Sequence, residues 1–178
     1  MTSRDGIYVF NAADGQYLQH WGTRGSDVGQ YDFPNGIAVD EETGNLFVVD
    51  VNNWRVTSLT TDGEIRWMLG RQEGGAVKSP FRLPRSVAVG PDGLVYVTDA
   101  PDRIIVLDQD GNLVAIIGER GTEDTKMNFP EGIFVSDSNQ LMFADRENNR
   151  VQVWDLTDEL DPPDPVEVQD FKDALRNY

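Results

Sequence analysis

The chain repeats itself with a period of about 48 residues, and a fixed period in this range constrains the fold more than any other feature of the sequence. A segment at Phe33-Pro34 returns at Leu83-Pro84 and at Phe129-Pro130, at offsets of 50 and 46 residues. Behind each copy lie a second apolar run that ends in aspartate and a third run that opens with arginine. The aspartates are Asp50, Asp99 and Asp145, and the arginines are Arg55, Arg103 and Arg150. Each repeat is therefore predicted to be one structural unit that stacks on the next.

The runs within a repeat have the composition of short strands. Each has five to seven residues, is rich in Val, Ile, Leu, Tyr and Trp, and is bounded by Gly, Asp, Asn or Pro. Asp62-Gly63 and Asp110-Gly111 separate a third run from a fourth, as expected of hairpin turns that need positive φ. Four antiparallel strands per repeat predict an all-β chain built of β-propeller blades.

The chain has room for about three such blades and roughly thirteen strands, which predicts a partial propeller. The predicted units are a half blade at 6–22, a blade at 33–70, a blade at 83–118 and an incomplete blade at 129–154. Val166 to Phe171 is a candidate for the missing fourth strand of the last blade. A ring of blades would be closed by the rest of a longer polypeptide, by a second polypeptide or by a large assembly, and we favour the first or the last.

The C-terminal residues 155–178 differ in kind from the repeats. They carry eight acidic and two basic residues, and Asp161-Pro162-Pro163-Asp164-Pro165 favours an extended, polyproline-like chain. We expect an acidic extended tail that acts as a linker or arm and tethers a basic partner. Lys172 to Tyr178 could form a short helical turn.

Composition excludes several classes of function. The net charge is −16, with 15 basic against 31 acidic residues, which opposes binding to nucleic acid. There is no cysteine, so no disulfide framework or thiolate metal site is expected. The apolar runs are far shorter than the ~20 residues of a membrane span, so we expect a soluble protein. The first residues lack an apolar signal region, and the compartment stays unknown.

Two longer strings carry a resemblance to a known family. Gly22 to Asp40, followed by Gly44 to Val56, resembles an NHL repeat, and the resemblance covers residues 6–154. Phe143 to Gln152 resembles the matching blade of the peptidyl-α-hydroxyglycine α-amidating lyases. The resemblance implies a propeller that serves as a binding platform or, less commonly, as an enzyme. The resemblance to the lyases implies a catalytic zinc ion, held by histidines that follow the proline at the start of each inner strand.

The residues at those positions here are Asn35, Arg85 and Glu131. Zinc prefers neutral imidazole, and a catalytic zinc site needs three protein ligands with one open position. The only histidine is His20, in a run that we place at the outer edge of a blade. We therefore predict no metal, no cofactor and no catalytic residue, which leans against an enzyme.

Four residues are candidates for binding a ligand or partner. Asn35, Arg85 and Glu131 are equivalent positions facing the central channel, and they differ chemically from blade to blade; alternatively they are loop residues that merely tolerate change. Trp54 lies in the loop between the second and third strands, where it could be exposed. The Asp–Arg pairs named above are interpreted as structural loop clamps, with a ring of alternating charge that grips a peptide or small anion as the alternative.

These features predict a non-catalytic binding or scaffold module. Protein partners would attach through the open blade edges and the acidic tail. The alternative is a fragment or degenerate relative of a metal-dependent propeller enzyme that resembles the amidating lyases.

Overall fold

A computed structural model describes residues 2–3, 5–73, 76–156 and 165–177, which form nineteen strands, one α-helix and two 3-10 turns. The helix α1 is Pro165–Ala174, and the 3-10 turns are Val51–Asn53 and Arg146–Asn148. The strands are β1 Thr2–Ser3, β2 Gly6–Phe10, β3 Tyr17–Trp21, β4 Thr23–Arg24, β5 Gln30–Tyr31, β6 Pro34–Val39, β7 Leu46–Asp50, β8 Arg55–Leu59, β9 Ile65–Leu69, β10 Arg71–Glu73, β11 Ala76–Lys78, β12 Pro84–Val89, β13 Val95–Asp99, β14 Arg103–Leu107, β15 Leu113–Ile117, β16 Pro130–Val135, β17 Gln140–Asp145, β18 Arg150–Asp155 and β19 Leu175–Asn177. No helix among the described residues is long and apolar enough to cross a membrane.

The predicted partial propeller is confirmed. The first sheet has the order β1-β2-β3, the second β19-β9-β8-β7-β6, the third β12-β13-β14-β15 and the fourth β16-β17-β18. Neighbouring strands in each of these sheets pair antiparallel. β2 and β3 occupy the residues that the sequence analysis assigns to the third and fourth strands of a blade, and β1 pairs with the other edge of β2.

Apolar side chains between the sheets form the core. One cluster joins the second and third sheets through residues such as Phe47, Trp67 and Ile105. Another joins the third and fourth sheets through residues such as Tyr96 and Phe143. β7, β8, β13 and β14 are buried along their whole length. β7 and β14 therefore read as nearly continuous apolar runs, whereas β8 places the polar residues Thr57 and Ser58 in the interior. Each fully buried large side chain contributes about 1.5–3 kcal/mol to folding.

The inner strands β6, β12 and β16 lie side by side and give the propeller two distinct ends. We call the end where they begin, at Pro34, Pro84 and Pro130, the proline face. The opposite end, which we call the turn face, carries the six turns 11–16, 40–45, 60–64, 90–94, 108–112 and 136–139. A cavity of ≈ 430 Å³ opens there between the ends of the three inner strands, lined in part by Val39, Val89 and Phe134.

The C-terminal segment corrects the prediction of an extended tail. Residues 165–174 are helical, and residues 175–177 form β19, which pairs with β9. Proline suits the first turn of a helix, where its missing N–H is not needed. Phe171 and Ala174 lie three residues apart on one face of α1 and are both buried, which stabilises the helix against the sheets.

Two smaller expectations for this segment are also wrong. Val166 to Phe171 is part of α1 rather than a fourth strand, and the described part of the fourth sheet has three strands. The helical turn expected for 172–178 ends at Ala174, because β9 offers an open edge to the residues that follow. Residues 157–164 lie outside the described part of the chain.

Candidate functional site

The three positions predicted to face the channel all lie at β-bulges. β6 pairs with β7 through Pro34 and Gly36, so that Asn35 is left out of the ladder. In the third sheet the same irregularity leaves out Arg85, and in the fourth it leaves out Glu131 together with its neighbour Gly132. A bulge bends the strand and re-aims the side chain of the unpaired residue. The bulges therefore give these three side chains directions that they would not have in a regularly paired strand.

Hydrogen bonds connect the three bulge residues across three sheets. Asn35 Nδ2 donates to the Arg85 carbonyl at 3.1 Å. The Arg85 guanidinium donates to the Glu131 carboxylate, with 3.1 Å from Nη2 to each oxygen. Thr98 Oγ1 holds the Glu131 carbonyl at 2.7 Å, which fixes the backbone of that bulge against the third sheet.

A fourth residue, which the sequence did not point out, completes this row. Arg146 opens the second 3-10 turn, and its Nη1 lies 2.9 Å from Glu131 Oε1. The same guanidinium also binds Glu147 at 2.7 Å and stacks 4.1 Å from the centre of the Phe129 ring. We call Asn35, Arg85, Glu131 and Arg146 the proline-face row. The only sequence signal for Arg146 is a charged residue directly after the repeat aspartate. The equivalent residues in the other blades are Val51 and Ala100.

Close packing of the inner strands holds this row in place. A Cβ atom on Gly36 would lie 2.9 Å from Ser86 Cα, so only glycine lets β6 approach β12 at this point. Phe33 and Phe129, directly before Pro34 and Pro130, have φ of 63° and 62°. Left-handed backbone at a bulky residue before proline is strained, and such strain is concentrated at functional sites.

The row has free binding capacity. Glu131 and Arg85 are largely covered, with 22% and 20% of their side chains exposed, whereas Arg146 is 49% exposed. Arg85 Nε is buried and has no hydrogen-bond partner. Arg146 already pairs with Glu131 and Glu147, so an anionic group of a ligand would share the exposed side of this guanidinium with the two carboxylates.

Trp54 lies elsewhere on the structure. It follows the first 3-10 turn with φ of 48°, and its carbonyl accepts a hydrogen bond from Ser79 Oγ. Its side chain is half-buried, and the hydrogen bonds of the proline-face row do not include it. The structure thus brings together three of the four predicted binding residues.

The predicted loop clamps have a common set of contacts. In the second sheet the buried Asp50 accepts the Asp32 amide at 2.9 Å and binds Arg55 at 2.9 Å. Arg55 in turn donates to the carbonyls of Ser26 and Gln30, in the loop that arrives from the first sheet. The pair therefore joins the end of β7 to the connection between two blades.

The same contacts recur in the next two sheets. Asp99 accepts the Leu83 amide at 2.6 Å and lies 2.7 Å from Arg103, which donates to the Pro80 carbonyl. Asp145 accepts the Asn128 amide at 2.7 Å and lies 2.8 Å from Arg150. These contacts recur once per blade, and the arginines donate hydrogen bonds to backbone carbonyls. Both observations support the interpretation of a structural clamp. We propose that role for all three pairs.

The clamp carboxylates differ in their electrostatics. Burial raises the pKa of Asp50 and of Asp99, against the pull of their arginines. At Asp145 burial also acts to raise the pKa, but hydrogen bonds from the Asn128 amide, Asn148, Arg150 and Gln152 outweigh it and lower the value. The clamp of the fourth sheet is thus the one that favours the ionised carboxylate.

The zinc positions implied by the lyase resemblance do not fit zinc in this chain. Asn35, Arg85 and Glu131 offer one carboxylate among them, and two arginines already bind it. His20 lies in β3, against the ring of Tyr8 at 4.2 Å. Within residues 2–3, 5–73, 76–156 and 165–177, no group of three or more His, Cys, Asp or Glu side chains could hold a metal ion.

Comparison with known sequences identifies the relatives of the chain. No family model matches it. A Caenorhabditis elegans protein named as a probable peptidyl-α-hydroxyglycine α-amidating lyase is 32% identical over 134 residues, which are 71% of this chain and 38% of that protein. Human NHL repeat-containing protein 3 is 28% identical over 162 residues, covering 84% of this chain and 45% of that protein. Rat peptidylglycine α-amidating monooxygenase is 30% identical over the same length, which is 16% of that protein.

Solved structures give the same architecture. A chain of the nidogen/laminin complex superimposes with a TM-score of 0.64 at 22% identity, covering 89% of this chain and 56% of that chain. A structural genomics protein from Bacteroides thetaiotaomicron gives a TM-score of 0.66 at 18% identity, covering 85% and 42%. At these identities the likeness shows the fold alone.

The repeats, the sheets and these comparisons together define a β-propeller chain. Its homologues are NHL repeat-containing proteins and peptidylglycine α-amidating enzymes. The chain spans less than half the length of the curated relatives described above.

Proposed function

We propose that this chain is a non-catalytic protein-interaction module whose binding surface is the proline-face row. The observation that carries the proposal is the bulge at the same position of three inner strands, which brings Asn35, Arg85 and Glu131 into one hydrogen-bonded row. Bulges that re-aim side chains at one end of a sheet are typical of sites that bind. Two of the three side chains are charged, although the positions are equivalent in the repeat.

The chemistry of the row indicates the kind of ligand. Glu131 is shared between Arg85 and Arg146. An incoming carboxylate at Arg146 would meet a guanidinium that is already held in place by Glu131, Glu147 and the Phe129 ring. A guanidinium fixed in this way recognises carboxylates with little loss of side-chain entropy. The preferred partner is therefore a protein segment with an acidic side chain or a free C-terminus next to apolar residues, which can contact Phe129.

Selection of random displayed peptides tests this proposal. The library is selected on the wild-type protein, and the selected peptides are then measured on Arg146→Ala and Arg85→Ala. We expect acidic peptides that lose at least ~10-fold in affinity on either variant, which corresponds to about 1.4 kcal/mol per lost charged contact. Arg24→Ala serves as the matched control, because Arg24 is a 71% exposed arginine paired only loosely, at 3.7 Å, with Asp32. Peptides that bind all three variants equally would refute the proposed surface.

A degenerate relative of the amidating lyases is the second candidate, since these enzymes are among the homologues. The chemistry of Asn35, Arg85 and Glu131 does not favour zinc. We expect the purified chain, equilibrated with zinc and then desalted, to retain less than one metal ion per chain by plasma mass spectrometry. We also expect no cleavage of α-hydroxyglycine peptides. Stoichiometric zinc that is lost in Glu131→Gln would favour the enzyme instead.

A further inference from the structure

The C-terminal segment 165–177 packs on a sheet that is not its neighbour in the chain. It follows β18 of the fourth sheet, yet β19 pairs with β9 at the outer edge of the second sheet. Leu175 lies opposite Leu69, and Arg176 lies opposite Met68. The Gly70 amide also donates to the Ala174 carbonyl at 3.3 Å.

Side-chain contacts of the segment fit the outer edge of the second sheet, at β9. Phe171 is 2% exposed and meets the Phe81 ring edge-on, with 5.9 Å between the ring centres. A Cβ atom on Gly111 would lie 2.9 Å from Leu175 Cδ1, so the turn before β15 leaves space for that leucine. The groove between the second and third sheets therefore fits an aromatic residue followed three and four positions later by a small and an aliphatic residue.

The outer edges of the third and fourth sheets, at β15 and β18, carry no added strand in the described part of the chain. The segment has therefore not simply added to any exposed strand. Its own sequence is the one that the groove at β9 recognises.

The segment has few anchors for its length. It buries Phe171 and Ala174, half-buries Leu175 and forms three residue pairs with β9, while Gln169, Asp170, Lys172 and Asp173 are exposed. Ordering thirteen residues costs conformational entropy on the scale of what these contacts return. Such units detach without unfolding of the rest of the protein.

We infer that the β9 groove is a self-association site that binds segment 165–177 of a second copy of this chain. Each copy carries both the groove and the segment that fits it, so an exchange reproduces every contact in trans and yields a two-fold dimer. Net charge opposes the approach of two copies at −16 each, and salt screens that repulsion. Exchange is therefore favoured at high ionic strength. This surface lies at the outer edge of the propeller, separate from the proline-face row.

The absence of cysteine gives a direct test. One chain carries Met68→Cys and another carries Arg176→Cys, which are opposite each other in the β9–β19 pair. Cross-strand partners have Cβ atoms close enough for a disulfide bond after small shifts. The two chains are unfolded together, refolded together at high salt and oxidised. We expect a disulfide-linked heterodimer on a non-reducing gel, in lower yield when refolding is done at low salt.

Two controls make each outcome decisive. Asp170→Cys replaces Arg176→Cys in a parallel mixture; since Asp170 is exposed on α1, its mixture should give heterodimer only at the background level. The double variant Met68→Cys/Arg176→Cys in one chain should cross-link, which shows that the pair reacts. A reactive double variant without heterodimer above the Asp170→Cys background overturns the inference. An unreactive double variant overturns the β9–β19 pairing on which it rests.

Discussion

The ionisation of Asp145 makes the stability that one clamp contributes depend on pH. Its side chain is buried, and four hydrogen bonds favour its ionised form and lower its pKa. A carboxylate whose pKa is lower in the folded state contributes stability above its unfolded value of about 3.9. That contribution is lost as the pH falls through the folded value.

We therefore expect Asp145→Asn to cost about 2–4 kcal/mol at neutral pH, since it leaves Arg150 without its carboxylate. The difference in the free energy of unfolding between wild type and variant should shrink as the pH falls below about 4. Urea unfolding at a series of pH values measures it. A difference that stays constant down to pH ~2 would contradict the role given to the Asp145 carboxylate.

Asp99→Asn is the matched control, because Asp99 makes the same clamp but burial raises its pKa. A raised folded pKa contributes stability that is present at low pH and lost as the pH rises through the folded value. The difference between wild type and Asp99→Asn should therefore grow, rather than shrink, as the pH falls toward about 4.

At the same scale, sequence reasoning located most of the proline-face row. The repeated proline marks the start of each inner strand, and the next residue is Asn35, Arg85 or Glu131. The bulge itself was not predictable, because it depends on how β6 and β7 pair rather than on either strand alone. Arg146 was missed for a related reason, since its 3-10 turn meets the row only after the fourth sheet has folded.

At the scale of elements, the C-terminal segment is held mainly by one aromatic side chain. Replacing a buried phenylalanine by alanine costs about 3–5 kcal/mol when the surrounding structure stays in place. We expect Phe171→Ala to cost less than this in global stability, because the segment can detach instead. Hydrogen exchange should show the release as faster exchange of the Gly70 amide, with unchanged protection in β7 and β8.

The control for that prediction is Phe134→Ala, which removes the same side chain from a position that is 59% exposed on β16. It should leave the exchange of Gly70 unchanged. Equal exchange at Gly70 in wild type and Phe171→Ala would mean that the segment is held by its backbone pairs alone.

The strands of the repeats were predictable and the C-terminal segment was not, for one physical reason. β6 to β9 and β12 to β15 have the same order of apolar runs and turns, so each repeat supports the strand assignment of the other. The helix and β19 occur once, and their stability depends on Phe81 and Trp67, about 90 and 108 residues earlier in the chain. Local sequence favoured an extended arm because its prolines and acids outnumber the apolar residues Phe171, Ala174 and Leu175 that contact the groove.

At the scale of the whole molecule, charge is distributed unevenly between the two faces. The six turns of the turn face contain ten acidic residues and no Lys, Arg or His. On the proline face, arginines pair with many of the acids. Like charges on one face repel one another and destabilise the compact state.

We expect the melting temperature to rise by several degrees when the ionic strength is raised from about 0.01 to 0.5 M, because the screening length falls from ~30 Å to a few Å. Neutralising three acids of the turn face should reduce that rise, through the substitutions Glu41→Gln, Glu42→Gln and Asp137→Asn. Three glutamates near bases of the proline face provide the matched control, through Glu119→Gln, Glu123→Gln and Glu147→Gln. An equal effect of the two sets on the salt dependence would show that the uneven distribution is unimportant.

Within the described part of the chain, the outward faces of the first and fourth sheets have different chemistry. The first sheet exposes Phe10, Tyr17 and Leu18, whereas the fourth exposes Phe134, Val151 and Val153. Because the two patches are not alike, contact between the first sheet of one copy and the fourth sheet of the next is head to tail. The angle between successive copies then decides the outcome: a rotation that divides a full circle evenly closes a ring, and any other rotation extends into a helical filament.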